Sequence, residues 1–165
     1  LGDRDIRTRS VADGMTQHWW DYAVNPLYAV DQGWIDPLRP QFWDPSRVVH
    51  GVTNGRGYRW ADHRIEMSGF HTIRPPNSES VSQRNPGGTY MGSASSRHQG
   101  GVHVLMGDGA VKFVTDSIEA GNQRAPMVSY DHMMGAFTPQ GSMSPYGLWG
   151  SLGTKASKEV IDEEF

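Results

Sequence analysis

The sequence contains no cysteine. The chain therefore forms no disulfide, offers no thiolate to a metal ion and carries out no thiol catalysis. This absence does not identify the compartment, because many secreted bacterial proteins also lack cysteine. The chain has no run of about 18 apolar residues that would form a membrane-spanning helix. The opening residues LGDRDIRTRS also lack the apolar segment of a signal peptide.

Acidic and basic residues nearly balance each other. The formal net charge is only -3 at pH 7, and the 15 basic residues are scattered along the chain. A protein that binds nucleic acid usually carries a basic stripe or patch that neutralises phosphates. We therefore expect no nucleic-acid partner.

Aliphatic residues are few, and aromatic residues compensate for them. Leu, Ile, Val and Phe together account for 30 of the 165 residues, slightly below the ~20% level at which disorder becomes a concern. The low net charge argues against disorder, and 6 Trp, 6 Tyr and 8 Met supply apolar area. With 20 Gly and 10 Pro, the chain is expected to form one loop-rich domain over residues 1–165, held together by aromatic clusters.

The clearest local pattern lies in SSRHQGGVHVLMGDGAVKFV, residues 95–114. Apolar side chains alternate on both sides of Asp108-Gly109, and a period of two is typical of strands. Asp-Gly favours a two-residue type I′ turn, whose twist matches that of a hairpin. The pattern predicts strands at about 101–107 and 110–115.

The remaining elements are predicted from turn and breaker residues. Residues 31–47 contain three X-Pro pairs, and residues 78–94 are polar and rich in glycine, so both stretches are expected to be irregular. The other predictions are a short helix around 17–24, two short strands at 48–60 around Asn54-Gly55, a strand at 65–77, a helical turn at 116–122 capped by Asp116, and an edge strand at Val160-Ile161.

His98 and Asp108 raise the question of a chemical site. An extended strand over 101–107 would hold its ends about 20 Å apart, so direct contact between the two side chains is disfavoured. The preferred interpretation is structural. Asp108-Gly109 makes the turn, Gly100-Gly101 permits a bend or close packing, and a hydrogen bond from His98 holds the preceding loop.

Metal and catalytic signatures are weak. His98 and His103 could contribute to a zinc site, but no H-E-x-x-H cluster accompanies them. A metal-dependent hydrolase would also need His63 or these two histidines to converge with carboxylates. No G-x-S-x-G elbow or phosphate-binding glycine loop is present. The other single histidines are His18, His50, His71 and His132. No cofactor is expected, with calcium at the loop residues Asp13, Asp108 or Asp116 as the alternative.

The six tryptophans allow two interpretations. They could fill a core that is short of aliphatic side chains and make subunit contacts, or their rings could stack on sugars at the surface. The first is favoured for the set Trp19, Trp20, Trp34, Trp43, Trp60 and Trp149. If the chain is instead a polysaccharide-binding module, Trp34, Trp43 and Trp60 are its candidate binding residues.

The segment SSRHQGGVHVLMGDGAVKFV resembles the H-x9-DG element of the planctomycete prepilin-like family, a family of unknown function. In that element a Ser-x-His-x-Gly-Gly stretch precedes a strand, an Asp-Gly turn and a second strand. Three more segments are similar to that family in the same order: SVADGMTQ (10–17), HTIRPPNS (71–78) and the ending from 144 to 165.

The resemblance implies a mainly-β α+β fold of the type IV pilin kind, an antiparallel sheet with long Gly- and Pro-rich loops. It implies a non-enzymatic structural subunit of a filament or cell-envelope complex, exported from a bacterium. Its motif residues would be His98, Gly100, Gly101, Asp108 and Gly109, with no catalytic role.

Prepilin-like proteins begin with a cleavage site and a long apolar helix, and the chain is therefore expected to be the C-terminal portion of such a protein. A sheet built to pack on that helix would expose an apolar face without it. The expected partners are other subunits or the protein's own N-terminal part, in a homo- or hetero-oligomer, and contact with a membrane would occur only through the missing helix.

Overall fold

The computed structural model describes residues 4–8, 11–12, 21–82, 90–129 and 138–154. Its strands and helices are short, as 20 Gly and 10 Pro would suggest. In chain order they are β1 (Val11–Ala12), α1 (Asp21–Val24), α2 (Tyr28–Asp31), a 3₁₀ helix (Val52–Asn54), α3 (Ile65–Ser68), β2 (Val81–Ser82), β3 (Tyr90–Met91), β4 (Gly101–Leu105), β5 (Val111–Thr115), β6 (Val128–Ser129), β7 (Thr138–Pro139) and α4 (Gly147–Leu152).

The described strands form three small sheets instead of one antiparallel sheet. The first has the order β1-β2-β3, with β1 parallel to β2 and β2 antiparallel to β3. The second is the antiparallel hairpin β4-β5, and the third pairs β6 with β7 in parallel. This architecture is consistent with the predicted mainly-β α+β class, and β4-β5 is its longest pairing.

Two apolar clusters form the core of the described residues. The first surrounds the β1-β2-β3 sheet and consists of Ile6, Tyr22, Ala29, Trp34, Trp43, Val81 and Met91. Its rings meet edge to face, with the Tyr22 and Trp34 centroids 6.4 Å apart. The second cluster lies between the hairpin and α4 and consists of Ala94, Val102, Val114, Ala120 and Trp149. As composition predicts, aromatic rings supply much of this core.

The prediction of two strands at 48–60 is wrong. The Asn54-Gly55 pair lies at the end of the 3₁₀ helix, Gly55 has a φ of −73°, and turns follow. A long-range contact sets this path, since the Arg56 amide donates to the Thr8 carbonyl at 3.2 Å. Asn-Gly tolerates a hairpin turn, but it does not impose one.

The strand predicted at 65–77 is also wrong. Residues 65–68 form the single helical turn α3, and irregular chain follows. Glu66 and its neighbour Met67 are both buried, whereas Ile65 is exposed. A strand would have sent two consecutive side chains to opposite faces.

The remaining predictions have mixed outcomes. Residues 31–47 are irregular as predicted, apart from Asp31 at the end of α2 and isolated bridges such as Ile35 with Trp43. The stretch 78–94 is not simply a loop, because β2 and β3 lie within it and are buried. At 116–122 there is a turn but no helix. Within the helix predicted at 17–24 the structure describes only α1, and Val160-Ile161 lies outside the described residues.

In the part of the chain that the structure describes, no helix is both long and apolar enough to cross a bilayer.

Candidate functional site

The β4-β5 hairpin has the predicted pairing. Its register runs from Gly101 opposite Thr115 to Leu105 opposite Val111. Because side chains alternate along a strand, Val102 and Val114 point into the second cluster, where both are buried. The alternation in the sequence therefore corresponds to side chains that point in turn toward the core and away from it, as predicted for strands.

The turn that closes the hairpin differs from the predicted two-residue type I′ turn. Met106 pairs with Ala110, so the loop contains three residues, 107–109. The Gly109 amide donates to the Met106 carbonyl at 3.0 Å, and Gly109 has a φ of +89°. Asp108 has no positive φ, which a type I′ turn would require. Its Oδ1 instead accepts a hydrogen bond from the Ala110 amide at 2.8 Å.

The two glycines that precede β4 have different roles. Gly100 has a φ of +82° and makes the bend, and a Cβ atom at this position would meet open space. At Gly101 a Cβ atom would lie 2.3 Å from the Val114 carbonyl oxygen, on the opposite strand. One glycine therefore provides the backbone conformation, and the other permits close approach of two strands.

His98 and Asp108 lie at opposite ends of the hairpin. Asp108 is in the closing turn, whereas His98 lies beside the open end, where the Asp116 amide donates to the Gly100 carbonyl at 2.9 Å. The His98 ring makes no hydrogen bond to a described residue. Its backbone amide donates to Ser96 Oγ at 3.0 Å. His98 thus contributes to this loop through its backbone amide, not through the imidazole as predicted.

The His98 ring meets other rings. Its centroid lies 6.4 Å from that of His103, edge to face, and the His103 centroid lies 5.1 Å from that of Phe113. Among the described residues no group of three His, Cys, Asp or Glu side chains could hold a metal ion. The two imidazoles are therefore brought together without the carboxylates that a metal-dependent hydrolase would need.

Asn77 joins this loop to the Pro-Pro-Asn segment. Its Nδ2 donates to Asp116 Oδ1 at 2.7 Å, and its Oδ1 accepts from the Ser96 amide at 2.8 Å. Asn77 also has a φ of +62°, which asparagine tolerates better than most residues. No prediction from the sequence assigned it a role. An asparagine directly after Pro75-Pro76 was the available signal.

The calcium candidates do not form a common site. Asp108 and Asp116 lie at opposite ends of the hairpin, and each uses Oδ1 in a hydrogen bond. Asp13 lies outside the described residues. Calcium binding remains a prediction.

The other described histidines have different surroundings. His63 is exposed. His50 Nε2 lies 2.7 Å from Ser82 Oγ, and burial lowers the His50 pKa, partly offset by the charge of Glu66. The His71 ring packs 5.8 Å from that of Tyr90, and burial followed by the nearby Arg56 charge lowers its pKa. His18 and His132 lie outside the described residues.

The tryptophans divide between core and surface. Trp34 is 2% exposed and Trp43 0%, so neither ring presents a face to a sugar, contrary to the glycan-binding alternative. Trp149 is buried in the second cluster, where its Nε1 donates to the Arg74 carbonyl at 2.8 Å. Trp60 is 83% exposed. Trp19 and Trp20 lie outside the described residues.

The side of the hairpin turned away from the core is apolar. We call it the outward face, and it comprises His103, Leu105, Val111 and Phe113. Leu105 is 71% exposed, Val111 64% and Phe113 45%. Leu105 also lines a groove of about 1000 Å³ between the hairpin and α4, together with Val104 and Trp149. Contiguous apolar surface of this kind marks a site of contact.

A family model described as "Protein of unknown function (DUF1559)" matches residues 2–121. The match includes the Pro-Pro-Asn segment, the His98 loop and the complete hairpin, and it ends before α4. No curated protein and no solved structure matches the chain.

Proposed function

Since the chain belongs to the DUF1559 family of proteins of unknown function, we propose that it is a non-enzymatic structural subunit of the type IV pilin or pseudopilin kind. Its work is assembly into a filament or cell-envelope complex outside the bacterial cytoplasm. The partner that covers the outward face is a neighbouring subunit of the same kind.

One observation carries the proposal: the outward face of the hairpin is apolar and exposed. Leu105, Val111 and Phe113 lie side by side across two strands whose other side is packed in the core. An apolar side chain that is buried instead of exposed contributes about 1.5–3 kcal/mol. Three such side chains on one hairpin could supply much of the binding energy of an interface.

The His98 loop supports a structural role for the motif. Its glycines serve a bend, a close strand contact and a turn, and Asp108 holds the turn through its own side chain. A catalytic pair would need nucleophile, base or acid within hydrogen-bond reach of a common substrate atom. His98 and Asp108 stand at the two ends of one hairpin instead.

The proposal predicts association that depends on the outward face. In sedimentation velocity over a concentration series, the 165-residue chain should form larger species as concentration rises. Val111→Asp with Phe113→Asp should abolish this, because two carboxylates would have to be desolvated in the interface. Val48→Asp is the matched control, since Val48 is 66% exposed and lies outside the hairpin.

Cross-linking identifies the occupant of the face. The chain has no cysteine, so Leu105→Cys introduces a single thiol whose disulfide can only join two copies. A Leu105→Cys dimer that forms faster than a Val48→Cys dimer supports a neighbouring subunit as occupant. A monomer at all concentrations, with no preferential cross-link, contradicts assembly through this face.

A further inference from the structure

A second surface feature has no role in the proposed assembly. A cavity of about 410 Å³ opens between the turns at 55–61, the end of α3 and the loop at 95–97. We call it the Trp60 cleft. Its lining residues are Arg7, Thr8, Arg56, Gly57, Trp60, Met67, Ser68, Ser95, Ser96 and Arg97.

The described wall of the Trp60 cleft carries positive charge. Three of its lining side chains are arginines, and none is a carboxylate. The charge of Arg7 is balanced, since its Nη2 lies 2.6 Å from Asp5 Oδ2. Arg56 is held by neutral groups: Nη1 donates to the Ser93 carbonyl and Nη2 to the Gly69 carbonyl, the latter at 2.9 Å. Arg97 adds an exposed guanidinium to the same wall.

Trp60 places a large aromatic ring at the edge of this positive wall. The ring is 83% exposed, whereas the core tryptophans Trp34, Trp43 and Trp149 are almost fully buried. An aromatic face packs well against the C–H face of a sugar ring. A guanidinium binds a carboxylate through two parallel hydrogen bonds. Together the two residue types fit a sugar that bears an acid group.

The cleft continues past the arginines. A second cavity of about 470 Å³ shares Arg7 and Arg97 with the first, and its wall includes the amide side chains of Gln41 and Gln99. It also includes one carboxylate, Asp116, which accepts a hydrogen bond from Asn77. Side-chain amides donate and accept hydrogen bonds and so suit sugar hydroxyls. Two adjoining cavities along one surface fit several linked sugars better than a single small molecule.

We propose that the Trp60 cleft and the adjoining cavity bind an acidic oligosaccharide, a chain of sugars that carry carboxylate groups. Trp60 stacks on one sugar, and Arg97 binds its carboxylate. Nucleic acid is disfavoured as the ligand, because tight binding draws on about 6–10 phosphate contacts. The described lining of the cleft has only three arginines.

Calorimetric titration of the 165-residue chain with tetragalacturonate tests the proposal, with neutral maltotetraose as the comparison sugar. Tetragalacturonate should bind, and maltotetraose should bind more weakly by about tenfold, because the charged hydrogen bonds are missing. Trp60→Ala and Arg97→Gln should each weaken tetragalacturonate binding by about tenfold. Trp60→Phe keeps a flat ring and should retain most of the affinity.

The controls lie close to Trp60 in the chain but do not line the cleft. Tyr58→Ala removes another exposed aromatic ring, and Arg59→Gln removes the same charge as Arg97→Gln. Both should leave affinity unchanged, and thermal melting checks that each variant is folded. Any of three results would overturn the proposal: no binding of tetragalacturonate, equal weakening by Arg59→Gln and Arg97→Gln, or tighter binding of single-stranded DNA than of the sugar.

Discussion

At the scale of single residues, the glycines of the motif are not equivalent. Gly101 is needed because a Cβ atom would meet the opposite strand, whereas Gly109 is needed for its backbone conformation alone. The sequence predicts that turns and close contacts occur here. Which glycine serves which purpose depends on the register of β5 against β4 and on the length of the loop.

Gly109→Val isolates the conformational contribution. A Cβ atom at position 109 would meet nothing within 4 Å, so the cost should come only from the φ of +89°. We expect the free energy of unfolding to fall by about 1–2 kcal/mol in urea titrations. Gly107→Val is the control, because Gly107 lies in the same loop, also has open space and has no positive φ. Equal losses in the two variants would contradict the assignment.

At the scale of elements, Asn77 connects two segments that lie far apart in the chain. Its side chain bridges the loop before β4 at Ser96 and the end of β5 at Asp116, and its backbone amide donates to the Ala94 carbonyl at 2.8 Å. The open end of the hairpin is thus held by a residue from outside it. The closed end holds itself through the turn at 107–109.

Asn77→Ala should destabilise the protein by about 2–3 kcal/mol. It removes two side-chain hydrogen bonds, and alanine is strained at a positive φ that asparagine tolerates. Asn77→Gly removes the same hydrogen bonds but tolerates the φ, so it should cost about 1–2 kcal/mol. Urea titrations of both variants measure the difference. Our interpretation fails if the glycine variant is no more stable than the alanine variant.

At the scale of the whole molecule, stability should depend on pH through two partly buried histidines, His50 and His71. Burial lowers the pKa values of both His71 and His50, and the charge of Arg56 lowers that of His71 further. The folded chain therefore binds fewer protons than the unfolded chain just below the ordinary histidine pKa of 6.5. This contribution to stability is complete above that pKa and is lost as pH falls from it toward the lower pKa of the folded state.

We expect the free energy of unfolding to be lower at about pH 5.5 than at about pH 7.5. His71→Gln should reduce the difference, and His50→Gln combined with His71→Gln should reduce it more, because neither glutamine titrates. Urea titrations at the two pH values test this. An unchanged difference in the double variant would show that these rings are not its source.

Some features of the fold follow from local sequence, and others do not. Alternation around Asp108-Gly109 predicts β4 and β5, because turn geometry and side-chain direction act over neighbouring residues. Asn54-Gly55 offers a similar turn signal without a hairpin, since the Arg56 amide is bound by the distant Thr8 carbonyl. The strand predicted at 65–77 failed because Glu66 and Met67 are both buried, which a helical turn allows.

The candidate sites show the same division. Residue types and spacing within a few positions are enough to predict the β4-β5 pairing, the lack of any thiol chemistry and a core that depends on aromatic rings. The folded chain is needed to see that Trp34 and Trp43 lie in the core while Trp60 lines a cleft, and that Asn77 binds the His98 loop. Burial and long-range hydrogen bonds join residues that are remote in the chain, and no local pattern encodes which partners they find.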